Sequence, residues 1–403
     1  MLFLFRIGVK IYQQALKLYV ALFRIKKTEI IHESGASKKV AGKLKQDGYN
    51  TVLVITDGVL LSLGLLKNML EAMDKESIRY YIYSEVVPNP TIGNVEGAKA
   101  MYLQNSCQAI VAFGGGSVMD CAKITGVVVL SGKSVKRYDH MIPLVPKMAK
   151  IYAVPTTAGT GSEVTISAVI TDEANHKKMP ITDAKLAPDY AFLDAELMIG
   201  LPKPITAATG MDALTHAVEA YIGNWKFKST DDYAIKATSM IFNYLEKAYN
   251  TGDDIDARSH MALASTYAGY AFRTGGVGYV HGIAHRLSEL YGVPHGLANA
   301  IVLPHVLRYL FSAIYIKLAD LSIKAKVGDS SKTQQEIAMD FIEKVEQMNE
   351  NLGIPKYAEK IQEKDIKLIA KRAIAEANTT YPVPKPITRK EMELFLKTIM
   401  VQK

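Results

Sequence analysis

Cysteine is scarce in this chain. Among its 403 residues only two are cysteines, Cys107 and Cys121. Two thiols are too few for a disulfide framework or for a metal site built from four thiolates. We therefore expect both thiols to be free, and we predict a cytoplasmic location.

A charge-free apolar run long enough to cross a membrane is also missing. The hydrophobic stretch "MLFLFRIGVKIYQQALKLYVALFRIKK" at residues 1–27 is interrupted by Lys10 and Lys17. Each lysine would cost about 2.5–3.5 kcal/mol at the centre of a membrane-spanning helix. The stretch also lacks the charge placement and the small-residue end of a signal peptide. We expect neither a transmembrane helix nor a secretion signal.

Positive charge is unevenly distributed along the chain. The formal net charge is +8, and residues 1–28 contribute six basic side chains and no acidic one. The remainder is nearly balanced and has no basic strip rich in aromatic residues, so we expect no nucleic-acid partner. Polar side chains at helical spacing in residues 1–28 predict a basic amphipathic helix.

Three interpretations of this N-terminal helix stay open. In the first, it packs on its own domain or on a sister subunit. In the second, residues 1–27 lie on an anionic membrane surface, which would make the cytoplasmic protein membrane-associated. In the third, the segment is processed or its start is misassigned.

Residues 29–200 alternate between short β-rich runs and helical patterns. The β-rich runs are "TVLVITD" (51–57), "YYIYSEV" (80–86), "AIVAF" (109–113) and "YAVPT" (152–156), with helical patterns at 34–48 and 91–106. This alternation predicts an α/β domain with a doubly wound parallel sheet. Long helical patterns follow, so we predict three segments: the helix at 1–28, the α/β domain at 29–200 and an all-α domain at 201–403.

A glycine-rich turn follows a predicted strand in "AIVAFGGGSVMDCAK". Gly114, Gly115, Gly116 and Ser117 would bring backbone N–H groups and a helix N-terminus together, which suits a phosphate. An ordinary tight turn is the alternative, because the segment is neither a GxGxxG fingerprint nor a Walker loop. The loop "PTTAGTGSEVT" (155–165) also follows a strand, as expected where a cofactor crosses the edge of a parallel sheet.

Asp57 stands at the end of another predicted strand. A carboxylate at this place can accept a hydrogen bond from a ribose 2′-hydroxyl and repel a 2′-phosphate. It can equally well cap the next helix. The residues alone leave both roles open.

Histidines cluster in the helical half of the chain. Three of the nine, His281, His285 and His295, occur within "HGIAHRLSELYGVPHG". The first two share a helix face, and a turn-forming stretch precedes the third. Upstream, "GMDALTHAVEAY" places Asp212 and His216 four residues apart on a second helix. One carboxylate and up to three imidazoles on two facing helices predict a site for Fe²⁺ or Zn²⁺.

These motifs, in this order, resemble the iron-containing (group III) alcohol dehydrogenases. The motifs that carry the likeness are "NPT" (89–91), "GGGSVMDCAK", "PTTAGTGSEVT", "GMDALTHAVEAY" and "HGIAHRLSELYGVPHGLANAIVLPHV". The resemblance implies an NAD-binding α/β domain, a helical metal-binding domain and an active site in the cleft between them. It also implies a metal-dependent enzyme that transfers a hydride between an alcohol and NAD(H). We further expect a homo-oligomer, a dimer or larger.

The resemblance implies roles for individual residues. The metal ligands would be Asp212, His216, His281 and His295, and His285 would stand beside the metal as a proton-relay residue. The cofactor contacts would be Asp57, Asn89, Gly114, Gly115, Gly116, Ser117, Thr156, Thr157, Thr160 and Lys178. An aspartate at the position of Asp57 is associated with a preference for NAD over NADP.

The chain departs from the family pattern in three places. The N-terminal helix is an addition, "YPVPKPIT" (381–388) stands in place of an Asn-Pro-Arg segment, and Gln108 replaces an acid. The substrate, the subfamily and the subunit contacts are therefore left open. Two rival functions are kept: a related enzyme of the same fold, such as a glycerol dehydrogenase or a dehydroquinate synthase, and an inactive binding protein recruited to membranes.

Overall fold

The computed structural model describes residues 8–11, 13, 14, 17, 18, 25–139, 145–175 and 177–400. The chain forms two compact units. The first is Arg24–Ile199, and the second is Gly200–Lys403 together with the N-terminal segment Met1–Phe23.

A parallel sheet is the centre of the first unit. Its strands are β1 (Glu29–His32), β2 (Thr51–Ile55), β3 (Arg79–Tyr83), β4 (Ala109–Gly114), β5 (Ile151–Pro155) and β8 (Tyr190–Leu193). They lie in the order β1-β8-β5-β4-β2-β3, and every pairing is parallel. The four runs that the sequence marks as strands are β2 to β5. The predicted parallel α/β sheet is confirmed.

Helices cover both faces of this sheet. They are α1 (Lys39–Gln46), α2 (Gly58–Ser62), α3 (Lys67–Lys75), α4 (Ile92–Gln104) and α5 (Gly116–Ser131). Successive side chains of β2 point to opposite faces. Val52 and Val54 pack in a cluster with α1 and α3. Leu53 and Ile55 pack in a second cluster with α4 and α5. This two-sided burial makes the sheet doubly wound.

Two features of the α/β unit carry a weak sequence signal. Strands β1 and β8 have four residues each, which is too short for a period-2 pattern to be recognised. The second feature is an antiparallel hairpin of β6 (Ser167–Asp172) and β7 (Lys177–Thr182). The hairpin stands outside the main sheet.

The second unit is helical, as predicted. Its helices are α6 (Lys203–Ile222), α7 (Lys228–Asn250), α8 (Ile255–Gly275), α9 (Tyr279–Tyr291), α10 (His295–Lys324), α11 (Gln334–Asn351), α12 (Ile366–Thr380) and α13 (Arg389–Ile399). Residues 200–400 contain no strand. Among the described residues, α10 alone has the length and composition to cross a membrane, but 61% of its apolar window is buried in the protein. Such burial is usual for a core helix.

The N-terminal segment packs on the helical unit. Its residues 8–11, 13, 14, 17 and 18 are helical, residues 25–28 are not, and the rest of the predicted helix lies outside the described residues. Gln13 is fully buried, and its Nε2 donates to the carbonyl oxygen of Tyr381 at 2.7 Å. Ile11 and Leu18 are 66% and 64% exposed. Polar Gln13 therefore faces the protein, and the two apolar residues face solvent. An amphipathic helix packed with its polar face outward would show the opposite arrangement. The contact favours packing on the chain's own domain.

Candidate metal centre and nucleotide-binding loops

The four predicted metal ligands meet in the helical unit. Asp212 and His216 lie one turn apart on α6, His281 is on α9, and His295 is the first residue of α10. One potential ligand atom from each residue lies within 4.8 Å of those from the other three. The sequence predicted these neighbours from two facing helices, whereas the structure uses three. The turn before His295 starts a new helix and carries the imidazole back to the other ligands.

The donor set fits a divalent transition metal. Oδ1 of Asp212 lies 3.6 Å from Nε2 of His295 and 3.9 Å from Nε2 of His281. Ligand atoms around a tetrahedral zinc ion are separated by about 3.4 Å, so only small adjustments are needed. Asp212, His216 and His281 are buried, whereas the His295 side chain is 36% exposed. One carboxylate and three imidazoles form a donor set suited to iron or zinc.

Electrostatics keep His281 in the form that can bind a metal. Burial, together with the nearby imidazoles of His216, His295 and His285, lowers the pKa of His281 well below its ordinary value. The ring is therefore neutral at physiological pH. A neutral imidazole is the ligating form of histidine.

Glu219 orients the imidazole of His281. Its buried carboxylate lies 2.7 Å from Nδ1 of His281 and accepts from the backbone N–H groups of Gly278 and Val280, each at 2.8 Å. Burial raises the pKa of Glu219 to about 8, and these three donors oppose the rise. Because Nδ1 is engaged, Nε2 of His281 presents its lone pair to the cluster. Such outer carboxylates fix the tautomer and direction of a metal-binding histidine.

Asn299 braces three of the four candidate ligands. Its fully buried amide nitrogen donates to Oδ1 of Asp212 at 2.6 Å. The same nitrogen lies 3.1 Å from Nε2 of His295 and 3.2 Å from Nε2 of His281. Asn299 thus contacts candidate ligands from three different helices, and its two N–H groups can donate to two of them at a time.

Sequence reasoning missed both Glu219 and Asn299, although their spacing carried a signal. Asp212, His216 and Glu219 are related by i, i+4 and i+7, which places them on one face of α6. Asn299 follows His295 by one helical turn. Asparagine is rarely a ligand of iron or zinc, and Glu219 contacts His281 instead of standing among the four candidate ligands.

His285 stands beside the four ligands and outside their set. Its ring centroid lies 5.2 Å from that of His295 and 6.0 Å from that of His281. Its Nδ1 lies 2.7 Å from Oε1 of Glu376 on α12. The position agrees with a residue that neighbours the metal, and its role as a proton relay stays a prediction.

The glycine turn of the α/β unit needs glycine for steric reasons. Strand β4 ends at Gly114, and α5 begins at Gly116. A Cβ atom on Gly114 would lie 2.6 Å from Val118, and one on Gly116 would lie 2.8 Å from Thr160. Any side chain at these two positions would therefore crowd its neighbours at the start of α5, and helix starts are places where phosphate can bind.

The second predicted loop lies directly against this turn. The backbone N–H of Thr156 donates to the carbonyl oxygen of Gly114 at 3.2 Å. A Cβ atom on Gly115 would lie 3.3 Å from Oγ1 of Thr157. The structure thus brings the glycine turn together with Thr156, Thr157 and Thr160, and their contact with a cofactor stays a prediction.

Three more predicted cofactor residues contact one another. The backbone N–H of Asn89 donates to Oγ of Ser117 at 3.3 Å, and Nζ of Lys178 donates to Oδ1 of Asn89 at 2.8 Å. Asn89 has a φ of 58°, a left-handed conformation that asparagine tolerates better than most residues. The hairpin strand β7 is the element that supplies Lys178, and this could not be read from the sequence.

Asp57 has the capping role that the sequence left open. Its Oδ1 accepts from the backbone N–H of Leu60 at 2.9 Å, at the start of α2. It follows β2, the neighbour of β4 in the sheet. Asp57 and the glycine turn therefore lie at the carboxyl ends of adjacent parallel strands, and its contact with a ribose stays a prediction.

A buried lysine fastens the second loop. Lys123 on α5 is fully buried, and its Nζ donates to Oγ of Ser162, Oγ1 of Thr165 and the carbonyl oxygen of Ser167, each at 2.9 Å. Burial lowers the pKa of Lys123 to about 8, and Asp120 and Glu163 oppose that change. The helix that starts at the glycine turn thus also holds the loop that packs against it.

We predict that Glu219→Gln weakens metal binding. A bound cation favours the ionised form of Glu219 in spite of its raised pKa. A neutral amide cannot polarise His281 as that carboxylate does, and loss of such a partner typically lowers metal affinity about 10- to 100-fold. Competition with a chromophoric chelator measures the affinity. Glu343→Gln, at an exposed position on α11, is the matched control. Equal affinities for the two variants would contradict the role given to Glu219.

We predict that Gly116→Ala weakens NAD binding. The new methyl group would lie 2.8 Å from Thr160 and force a shift at the start of α5, where the sequence predicts a phosphate contact. Quenching of protein fluorescence by NADH gives the dissociation constant, which should rise at least about tenfold if one or two hydrogen bonds to the phosphate are lost. The control is Gly42→Ala, because a Cβ atom there has no neighbour within 4 Å. Unchanged NADH binding in Gly116→Ala would contradict the predicted role of the glycine turn in phosphate binding.

Comparison with known proteins identifies the family. Residues 27–195 match the model for iron-containing alcohol dehydrogenase, and residues 206–400 match that for the Fe-containing alcohol dehydrogenase family, C-terminal. The chain is 37% identical over 368 residues to the NAD-dependent methanol dehydrogenase of Bacillus methanolicus, covering 91% of this chain and 96% of that protein. It is 36% identical to the lactaldehyde reductase of Escherichia coli K12, covering 86% and 91%.

A solved structure shows the same architecture. The crystal structure of a 1,3-propanediol oxidoreductase superposes with a TM-score of 0.89 at 33% identity, covering 94% of this chain and 100% of that one. Family models that match most of the chain, curated relatives over nearly their whole length and a shared fold all agree. This chain belongs to the iron-containing alcohol dehydrogenase family.

Proposed function

We propose that this protein is a metal-dependent alcohol dehydrogenase that oxidises small alcohols, and reduces the corresponding aldehydes, with NAD(H). The observation that carries the proposal is the convergence of Asp212, His216, His281 and His295 within 4.8 Å. The family assignment supplies the reaction class, hydride transfer between an alcohol and a nicotinamide. Fe²⁺ is the proposed metal, and Zn²⁺ suits the same donors.

The residues of the helical unit prepare the metal site. When bound, the cation polarises the substrate oxygen as a Lewis acid, and NAD accepts the hydride. Asp212 supplies the single negative charge among the four proposed ligands. Glu219 holds His281 with Nε2 toward the cluster. Asn299 keeps the carboxylate of Asp212 in place before the cation arrives.

The residues of the α/β unit hold the nucleotide. We propose that the N–H groups at Gly115, Gly116 and Ser117 bind the pyrophosphate, since the start of α5 favours negative charge. Hydroxyls of Thr157 and Thr160 flank this cradle. Asp57 would accept a hydrogen bond from the ribose 2′-hydroxyl with the carboxylate oxygen that does not cap α2. A negative charge at that place disfavours a 2′-phosphate, which supports NAD over NADP.

His285 is the proposed carrier of the alcohol proton. Its Nδ1 faces Glu376, so Nε2 is the nitrogen with a free lone pair. A histidine is suited to this task because its ordinary pKa lies near neutrality. Its ring stacks near that of His295, the most exposed of the four proposed ligands.

Small aliphatic alcohols and aldehydes are the proposed substrate class. Methanol, lactaldehyde and 1,3-propanediol appear in the names of the relatives, and each has at most three carbon atoms. The rival functions, glycerol dehydrogenase, dehydroquinate synthase and an inactive binding protein, have weaker support, because the curated relatives described above are alcohol or aldehyde oxidoreductases. We also propose that the enzyme works in the cytoplasm as a homo-oligomer, in keeping with its two buried free thiols.

We predict that two histidine variants separate metal binding from proton transfer. His281→Ala should abolish both metal content and activity, because it removes a ligand. His285→Ala should retain metal and lower kcat by about 10²-fold, the usual lower limit for loss of a general acid or base. Metal analysis and NADH absorbance with a panel of C1–C4 alcohols give the two readouts. Near-normal rates in metal-depleted protein would contradict the proposed function.

We further propose a peripheral membrane contact through residues 1–27. Ile11 and Leu18, two helical turns apart, are both exposed, and Lys10 beside them is exposed as well. An apolar row flanked by positive charge is the pattern of helices that lie on anionic membranes. Because Gln13 faces the protein, this outer face is available while the segment stays packed.

We predict that the double variant Ile11→Ser, Leu18→Ser reduces sedimentation with phosphatidylserine-containing vesicles. It removes apolar contact area while leaving Gln13 and every charge unchanged. Ile316→Ser, on the exposed side of α10, is the matched control and should sediment like the wild type. Equal sedimentation of all three proteins, or no sedimentation of the wild type, would contradict the proposed membrane contact.

A further inference from the structure

A half-buried carboxylate contacts three side chains next to the candidate metal centre. Glu376 on α12 lies 2.7 Å from Nδ1 of His285 through Oε1 and accepts from Nη2 of Arg286 at 2.9 Å through Oε2. The hydroxyl of Tyr381 donates to the same Oε1. The proposed chemistry uses His285 and its contact with Glu376, but it gives no role to Arg286 or Tyr381.

Glu376 is charged, and its charge determines which nitrogen of His285 carries the proton. Burial alone would raise its pKa, but His285, Tyr381 and Arg286 lower it to about 2. An ionised carboxylate only accepts hydrogen bonds. The proton of a neutral His285 must therefore be on Nδ1, and Nε2 keeps its lone pair.

Tyr381 is itself held by the N-terminal segment. Nε2 of Gln13 donates to the backbone carbonyl of Tyr381, and Nε1 of Trp225 donates to the backbone carbonyl of Gln13 at 3.0 Å. A fully buried amide is costly unless its donors are used. Nε2 of Gln13 also lies 3.5 Å from the carbonyl oxygen of Asn378, whereas Oε1 has no partner among the described residues. The donors of this amide thus join the N-terminal segment to the backbone at the end of α12.

The chain of contacts links two segments that depart from the family pattern. Gln13 belongs to the added N-terminal segment, and Tyr381 opens "YPVPKPIT". The two departures are connected, because Gln13 contacts the backbone of Tyr381 and the hydroxyl of Tyr381 contacts Glu376, the carboxylate next to His285.

We propose that Gln13, Tyr381 and Glu376 are positioning residues that hold His285 with Nδ1 protonated and Nε2 free to exchange a proton. The inference rests on the proposed function for its catalytic meaning, because His285 acts there as the proton carrier. The N-terminal segment is thereby part of the enzyme's working structure. A segment that served only to pack would leave the state of His285 unaffected.

The direct test is the tautomer of His285. Zinc-loaded, full-length protein is labelled with ¹⁵N-histidine, and the resonances of His285 are assigned by their loss in His285→Gln. Correlation spectra of the ring nitrogens distinguish protonated Nδ1 from protonated Nε2. We expect protonated Nδ1 in the wild type, and a mixture of tautomers in Glu376→Gln, Tyr381→Phe and Gln13→Ala. The shift should be largest for Glu376→Gln, which removes the charge.

Kinetics give the second readout. Tyr381→Phe and Gln13→Ala should lower kcat by up to about tenfold, a part of the usual 10²-fold or larger contribution of acid–base catalysis, with KM for the alcohol unchanged. The matched controls are Tyr291→Phe, which removes another tyrosine–carboxylate contact at the end of α9, and Gln14→Ala, the exposed neighbour of Gln13. Both controls should keep the wild-type tautomer and kcat.

Failure of this inference can be told from failure of the proposed function. A tautomer that stays the same in Glu376→Gln and Tyr381→Phe overturns the positioning role, whatever the activity. Loss of kcat without a tautomer shift in these variants also overturns it, because the effect is then merely structural. If His285→Gln keeps full activity, His285 is not the proton carrier, and the spectra still decide whether Glu376 and Tyr381 hold the ring.

Discussion

The candidate metal centre of the helical unit depends on bringing one carboxylate and three imidazoles close together inside the protein. Lone pairs that face one another at 3.6 and 3.9 Å are unfavourable unless a positive partner stands among them. A divalent cation held by these residues would supply that partner, and its binding would then contribute to the free energy of folding. The hydrogen bond from Asn299 to Asp212 and the contact of Glu219 with His281 make the arrangement tolerable before the metal binds. The donors are thus preorganised.

The α/β unit meets a different requirement, which is close packing at a strand-to-helix junction. Side chains at Gly114 and Gly116 would clash with Val118 and Thr160 at the start of α5. Lys123 holds the neighbouring loop through three hydrogen bonds in a buried site. The positions of the two loops are therefore set by the junction of β4 with α5 and by the hydrogen bonds of Lys123. The proposed function and the fold are coupled, because the helix proposed to bind phosphate also holds the second loop through Lys123.

Much of this could be predicted from the sequence, and the exceptions have physical causes. The central strands and the four ligands carry strong local patterns, namely β-rich runs of five or more residues and i, i+4 pairs on helices. Strands β1 and β8 are too short for such a pattern. Glu219 and Asn299 act through a neighbour and not through their own chemistry, so only the assembled helices reveal them. The inward turn of Gln13 reverses a simple amphipathic pattern and depends on Tyr381, which is 368 residues away.

The most direct test of the central claim is an anomalous diffraction map at the iron absorption edge, from crystals of the iron-loaded protein. The account predicts one strong peak about 2.0–2.3 Å from an oxygen of Asp212 and from one nitrogen each of His216, His281 and His295. A protein that oxidises alcohols with NAD but shows its peak elsewhere, or shows no peak, would contradict the account.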